Sequence, residues 1–218
     1  MPRRIETFFS SADREAIQAA TTAAERKTAG ELVVYVTERC DPHPEVAWKG
    51  ALVGGALGAL CASVVVWRLG GWGAPDHLWL LIGLQLGLLA GWVASRFDAI
   101  GRRLIGEEAL DSRVDGRAAE AFLDEQVFAT RERTGVLIFV ALFEHRVLVL
   151  ADEGIDERVA DDAWYEISSD LALGIRRGTP AAALIHAVER CASLLEAHGV
   201  QPAEQDNQLS DEPRFRRE

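Results

Sequence analysis

Basic residues are in the minority in this sequence: 23 lysines and arginines stand against 34 aspartates and glutamates, a formal net charge of −11. Neutralising a phosphate backbone takes a basic face, so the balance argues against nucleic acid as a partner and favours cations or basic proteins. Cysteine is scarce as well. Cys40, Cys61 and Cys191 are odd in number and far apart, which matches no zinc or redox spacing and builds no disulfide framework, so a reducing compartment is the simpler setting. The chain also lacks a nucleophile elbow, a phosphate-cradling glycine loop and a zinc-type histidine pair. Each of those motifs has a spacing that its chemistry enforces, and their absence lowers the expectation of catalysis. Finally, Ile5 to Lys27 contains no continuous apolar core of the kind a secretory signal requires, although Arg3 and Arg4 precede it. The N-terminal part is therefore not expected to be exported.

Charge of either sign is missing from two internal stretches, Gly50 to Trp67 and Leu78 to Val93, while the flanking sequence is dense in Asp, Glu and Arg. As a helix the first stretch is about 27 Å long, and the second needs only a residue or two at each end to match a hydrocarbon slab of roughly 30 Å. The link between them, residues 69–77, is rich in Gly and contains Pro75, which predicts a tight turn and antiparallel neighbours. The expectation is a two-helix transmembrane hairpin. Trp48 and Trp92 mark one interface, and Trp67, Trp72 and Trp79 the other, as aromatic belts do. Arg39, Lys49, Arg96, Arg102 and Arg103 cluster at the ends that lead into the polar sequence, against Arg68 at the other side. The positive-inside rule then places the soluble part on the cytoplasmic face of the inner membrane. Gly50, Gly54 and Gly58 recur at every fourth residue, as do Gly83, Gly87 and Gly91. Such faces serve close contact, either within the hairpin or in a homo-oligomer. Gln85 is the one strongly polar side chain in either span, too little for a transport pathway.

The polar sequence reads as one α/β domain divided by the hairpin. Ser10 or Ser11 caps a helix carrying Ile17, Ala20 and Ala24 that ends by Gly30, and Glu31 to Glu38 follows as a strand apolar on both faces. A helix over Val114 to Arg133 leads into a second buried strand, Val136 to Leu142. His145 turns the chain into an antiparallel partner, Arg146 to Ala151. A helix with Trp164, Ile167 and Leu171 and a last helix from Thr179-Pro180 to Gly199 complete the pattern. Long helical crossovers between strands buried on both faces predict a three-layer α/β/α sandwich. The organisation is then residues 1–45 and 97–200 for the divided domain, 46–96 for the hairpin, and 201–218, polar and aperiodic, for a disordered tail. His43, between Pro42 and Pro44, reads as linker.

If the first crossover is parallel, Glu31, Thr134-Gly135 and Asp152 share one end of the sheet. Asp156, Asp161 and Asp162 follow closely, so oxygen ligands for a hard divalent ion such as calcium or magnesium are plentiful there. The alternative is a solvated acidic face, with Asp161 and Asp162 capping a helix. His145 falls at the opposite end, which makes an acid/base couple with these carboxylates awkward.

Several of these segments together resemble the TPM-domain family, in its bacterial membrane-protein branch. They are Thr28 to Val34 with its Gly30-Glu31 pair, Arg117 to Phe122 with Thr130, Thr134 to Val140, Glu144 to Arg146, Leu150 to Ile155, and the spacing on to Val159 and Trp164. The resemblance implies an α/β/α sandwich, acidic residues that in some members bind calcium or another divalent ion, and roles in maintaining or assembling membrane protein complexes beside a membrane-associated partner. It also implies, as an alternative, acid phosphatase activity on phosphomonoesters. Glu31 matches the family's Gly-Glu element and Asp152 its post-strand acid. The hairpin inside the domain departs from other members, so their extracytoplasmic partners do not transfer.

Overall fold

A computed structural model describes residues 4–69, 75–156, 158–200 and 209–216. In chain order the elements are α1 (Arg4–Phe8), α2 (Ser11–Glu25), β1 (Glu31–Thr37), α3 (Glu45–Leu69), α4 (Asp76–Ala94), α5 (Asp98–Ile105), α6 (Glu107–Asp124), β2 (Gly135–Ala141), β3 (Arg146–Ala151), α7 (Glu153–Asp156), α8 (Asp161–Arg176), α9 (Pro180–Ala197) and β4 (Arg214–Arg216). The chain divides into two compact units. One comprises Met1–Asp41 with Asp111–Glu218, and the other Pro42–Leu110. The second unit is wider than the apolar stretch that announces it, since it also takes in α5.

The first unit is a mixed α/β structure around a four-stranded mixed sheet of order β3-β2-β1-β4. β1 runs parallel to β2, with Glu31 opposite Gly135, and β2 runs antiparallel to β3. Every residue of β1 and β2 is buried, which is what strands apolar on both faces require. Alternation then sorts the side chains. Leu32, Val34, Val36, Val136, Ile138 and Val140 join Ile17, Ile167, Leu171, Leu184 and Leu195 in one core. Val33, Tyr35, Leu137 and Phe139 join Val114, Ala118 and Ala121 in another. Each such apolar side chain contributes roughly 1.5–3 kcal/mol when withdrawn from water, so the two cores fix the strand register.

Local signals set the element ends. Ser10 Oγ accepts the Asp13 N–H at 3.1 Å, and the Asp13 carboxylate accepts the Ser10 N–H at 2.9 Å, a reciprocal cap on α2. The Ser10 N–H, and with it the Ser10 hydroxyl donating at 2.8 Å, holds the Asp13 carboxyl below its ordinary range. The helix expected to run to Arg133 stops at Asp124 instead. Gln126 turns left-handed at φ 54°, and Val127–Ala129 form one 3₁₀ turn. The turn carries Val127 beneath Gly135, where a Cβ on the glycine would lie 2.0 Å from the Val127 carbonyl oxygen. Only glycine permits that approach.

The tail also differs from expectation. Residues 201–208, 217 and 218 lie outside the described residues, but Arg214–Arg216 form β4, parallel to β1. The physical reason is period-two alternation compressed into three residues: Phe215 packs against the first core, while Arg214 and Arg216 reach Glu125.

In the second unit, α3 and α4 are both long and apolar enough to cross a membrane by length and composition. Their glycines face one another. A Cβ at Gly54 would fall 2.3 Å from the Gly87 carbonyl oxygen, one at Gly58 2.2 Å from that of Gly83, and one at Gly91 2.1 Å from that of Gly50. The six-glycine faces anticipated in the sequence are thus used between the two helices, the first of the two arrangements open to them. Arg96 lies over the Trp92 ring at 4.3 Å and Arg68 over Trp67 at 5.1 Å. His43, read as linker, is 2% exposed, with φ 50° and Nδ1 3.9 Å from Glu45.

Candidate functional site

The acidic end of the sheet is assembled by backbone register. Glu31 opens β1 opposite Gly135 of β2, and the Asp152 N–H donates to the Gly135 carbonyl at 2.9 Å. The loops around it are close-packed. The Thr134 N–H donates to Thr130 Oγ1 at 2.8 Å, Thr134 Oγ1 donates to the Ala29 carbonyl at 3.0 Å, and the Gly154 N–H donates to the Arg133 carbonyl at 3.0 Å. A Cβ at Gly154 would meet the Glu132 carbonyl oxygen at 2.3 Å.

The described side chains on this frame take separate partners. Asp152 is 4% exposed; its Oδ1 lies 3.0 Å from the Arg133 guanidinium and accepts the Glu153 N–H at 2.9 Å. Its Oδ2 is buried and has no hydrogen-bond partner among the described residues. Glu31, also buried, accepts the Leu209 N–H at 3.3 Å. Asp162 is exposed near the start of α8, whose N-cap, Ala160, has no side-chain cap bond. Asp156 and Asp161 lie in α7 and α8, and their side chains fall outside the described residues. Among the described residues no three carboxylate, imidazole or thiol groups gather closely enough to hold an ion.

Two carboxylates that sequence reasoning missed lie on the Glu31 side. Glu25 Oε1 accepts the Leu32 N–H at 2.9 Å, and Asp211 Oδ2 accepts the Thr22 hydroxyl at 2.5 Å. Burial, with Asp211 and Glu31 close by, pushes the Glu25 carboxyl up to about 8 against the opposing hydrogen bond from Leu32. The group gives no sequence signal, because Asp211 belongs to the segment read as tail. At the other end of the sheet the buried Glu144 carboxylate accepts the Cys40 N–H at 3.0 Å. Burial and then Glu144 push the Cys40 thiol well above its ordinary range, and burial lifts Cys191 to about 12. Neither is a thiolate nucleophile near neutrality. His145 is exposed at φ 56° in the β2–β3 turn, where it was expected. Beside it, between β3 and α8, lies a cavity of about 330 Å³ lined by Phe8, Leu142, Val147 and Ile175, with Arg146 and Arg176.

No family model matches this chain, and no curated protein matches it. Among solved structures it is similar to the NMR structure of the BA42 protein from the psychrophilic bacterium Bizionia argentinensis, at 17% identity and a TM-score of 0.58 over 99% of each chain. At that identity the likeness establishes a shared fold.

Proposed function

We propose that the chain is a membrane-tethered TPM-like binding module: a three-layer α/β/α sandwich held at the inner membrane by a transmembrane hairpin, facing the cytoplasm. It docks a membrane-associated protein in the maintenance or assembly of membrane protein complexes. The observation that carries the tether is the exposure of α3 and α4. In their most apolar stretches only 11% and 0% of the residues are buried, whereas core helices of a soluble protein bury their apolar side chains. Trp48, Leu52, Leu60, Leu86 and Leu89 are all more than half exposed, and lipid is the solvent that such a surface needs. Arg–Trp pairs at both ends of the helix pair suit the two interfaces.

Binding is favoured over hydrolysis by chemistry. The two buried thiols are held protonated, and His145 lies at the opposite end of the sheet from Asp152. The same reading carries a divalent cation, calcium or magnesium, at the acidic end. What supports it is the partnerless, buried Oδ2 of Asp152. A hard cation needs six or more oxygens, so Asp156, Asp161 and Asp162 or water would have to complete the set, with Arg133 giving up its hold on Asp152. The tether is tested by alkaline carbonate extraction of membranes: the full chain stays in the pellet, and a version with residues 46–96 replaced by a short Gly/Ser linker is released. Release of the full chain would overturn the reading.

A further inference from the structure

β4 is a strand of three residues seated on the outer edge of β1, with Arg214, Phe215 and Arg216 opposite Tyr35, Val36 and Thr37. The Glu38 N–H extends the ladder to the Arg216 carbonyl at 3.3 Å. Alternation gives the edge two distinct sub-sites. On one face the Glu125 carboxylate, 12% exposed, takes the Arg214 Nε at 2.9 Å and the Arg216 Nη2 at 3.1 Å. On the other the Phe215 ring lies 5.3 Å from that of Phe9, with the Arg14 guanidinium 4.6 Å from its centroid. The edge therefore reads a basic–aromatic–basic triplet through one acid and one aromatic slot, in the manner of strand addition, where main-chain bonds give affinity and alternate side chains give specificity.

Among the described residues, β4 pairs with three of the seven β1 residues. Further along, the Leu32 N–H is met not by a strand carbonyl but by the Glu25 carboxylate at 2.9 Å, and Glu31 holds the Leu209 N–H at 3.3 Å, so a longer strand continues the ladder once residues 209–213 leave together with β4. We propose that the outer edge of β1 is a docking edge for an extended basic–aromatic–basic segment of another protein, and that Arg214–Phe215–Arg216 is its built-in competitor. The chain's net charge of −11 favours such a basic ligand over an acidic one. This rests on the binding-module reading and names the chemistry of the partner. Because the test below measures peptide binding in detergent, failure of the edge is distinct from failure of the tether.

A tethered segment competes at an effective concentration of order millimolar, so the edge must be vacated to be probed. The full chain in detergent micelles carrying Arg214→Glu with Phe215→Ala is titrated with a fluorescein-labelled peptide of residues 211–216. The peptide is expected to bind this variant at least about tenfold more tightly than the wild-type chain, as release from that competition requires. Adding Glu125→Arg should remove the gain, as should changing both peptide arginines to glutamate. Equal binding with and without Glu125→Arg, or no binding to a variant with a wild-type circular dichroism spectrum, would overturn the proposal. If the double variant does not fold, Phe215→Ala alone is used; if that also unfolds, β4 is an integral strand and the proposal fails. A concentration-dependent dimer of the wild-type chain that Glu125→Arg dissociates would make the occupant a second copy and would also overturn it.

Discussion

Glu31 and Asp152 flank Gly135 at one end of the sheet, and their carboxylates serve different partners: Glu31 receives the Leu209 N–H, and Asp152 pairs with Arg133. The backbone places the two acids at one end of the sheet as the strand order requires, and each is then engaged by a different partner. Breaking the Arg133 pair without a substitute would leave the buried Asp152 carboxylate with the Glu153 N–H alone, a destabilising loss. Any ion at Asp152 must offset that.

If a divalent ion does so, it stabilises by mass action, about 2.7 kcal/mol at a hundredfold excess over the dissociation constant. Millimolar calcium or magnesium is then expected to raise the melting temperature of the first unit reversibly with chelator, and Asp152→Asn should abolish the rise. A shift no larger than that from sodium chloride at equal ionic strength would leave the acids as structural groups.

Glu25 gives a pH dependence whose sign follows from its raised carboxyl. Its value is about 8 when folded against an ordinary 4.5, so the native state binds the extra proton between those values. Stability from this group is fully present below about 4.5 and is lost as pH rises through about 8. Melting temperature followed upward across this window should fall, with release of the 209–216 segment as Glu25 ionises beside Asp211 and Glu31. Glu25→Gln should flatten the decline. A melting temperature that rises with pH, or an unchanged decline in the glutamine variant, would contradict the assignment.

The hairpin glycines differ in what they face, and substitutions should rank accordingly. At Gly58 a Cβ meets the Gly83 carbonyl oxygen at 2.2 Å, whereas at Gly55 it meets the flexible Leu88 side chain at 2.9 Å. Gly58→Ala should destabilise the helix pair by about 1–3 kcal/mol, the usual cost of overpacking, and Gly55→Ala by clearly less. Denaturation by sodium dodecyl sulfate from mild micelles measures both; equal sensitivity would argue against the glycine-to-glycine contact.

The legible features were those that repeat over enough residues to form a pattern. β1 and β2 announce themselves by apolar runs on both faces, α2 by Ser10 and Asp13, and the helix pair by its charge-free stretches and fourfold glycine spacing. The shared sheet end of Glu31, Gly135 and Asp152 was also legible, once the first crossover is taken as parallel and the second as antiparallel. The direction of the carboxylates was not, because it is set by Arg133, Glu25 and the 209–216 segment through tertiary contacts. β4 escaped notice because three residues carry too little alternation to stand out from a polar tail. The early end of α6 at Asp124 escaped because Gln126 is an ordinary residue forced left-handed by the packing of Val127 on Gly135.

The tether and its orientation are tested most directly by cysteine labelling in intact cells. In a Cys61→Ser background, Gly73→Cys reports on the link between α3 and α4 and Ser169→Cys on an exposed site of α8, with Cys40 and Cys191 silent because they are buried. A membrane-impermeant maleimide is expected to label Gly73→Cys from outside, and Ser169→Cys only after permeabilisation. Labelling of Ser169→Cys in intact cells with Gly73→Cys protected would reverse the orientation, and labelling of neither until permeabilisation, with the protein in the soluble fraction, would contradict the tether itself.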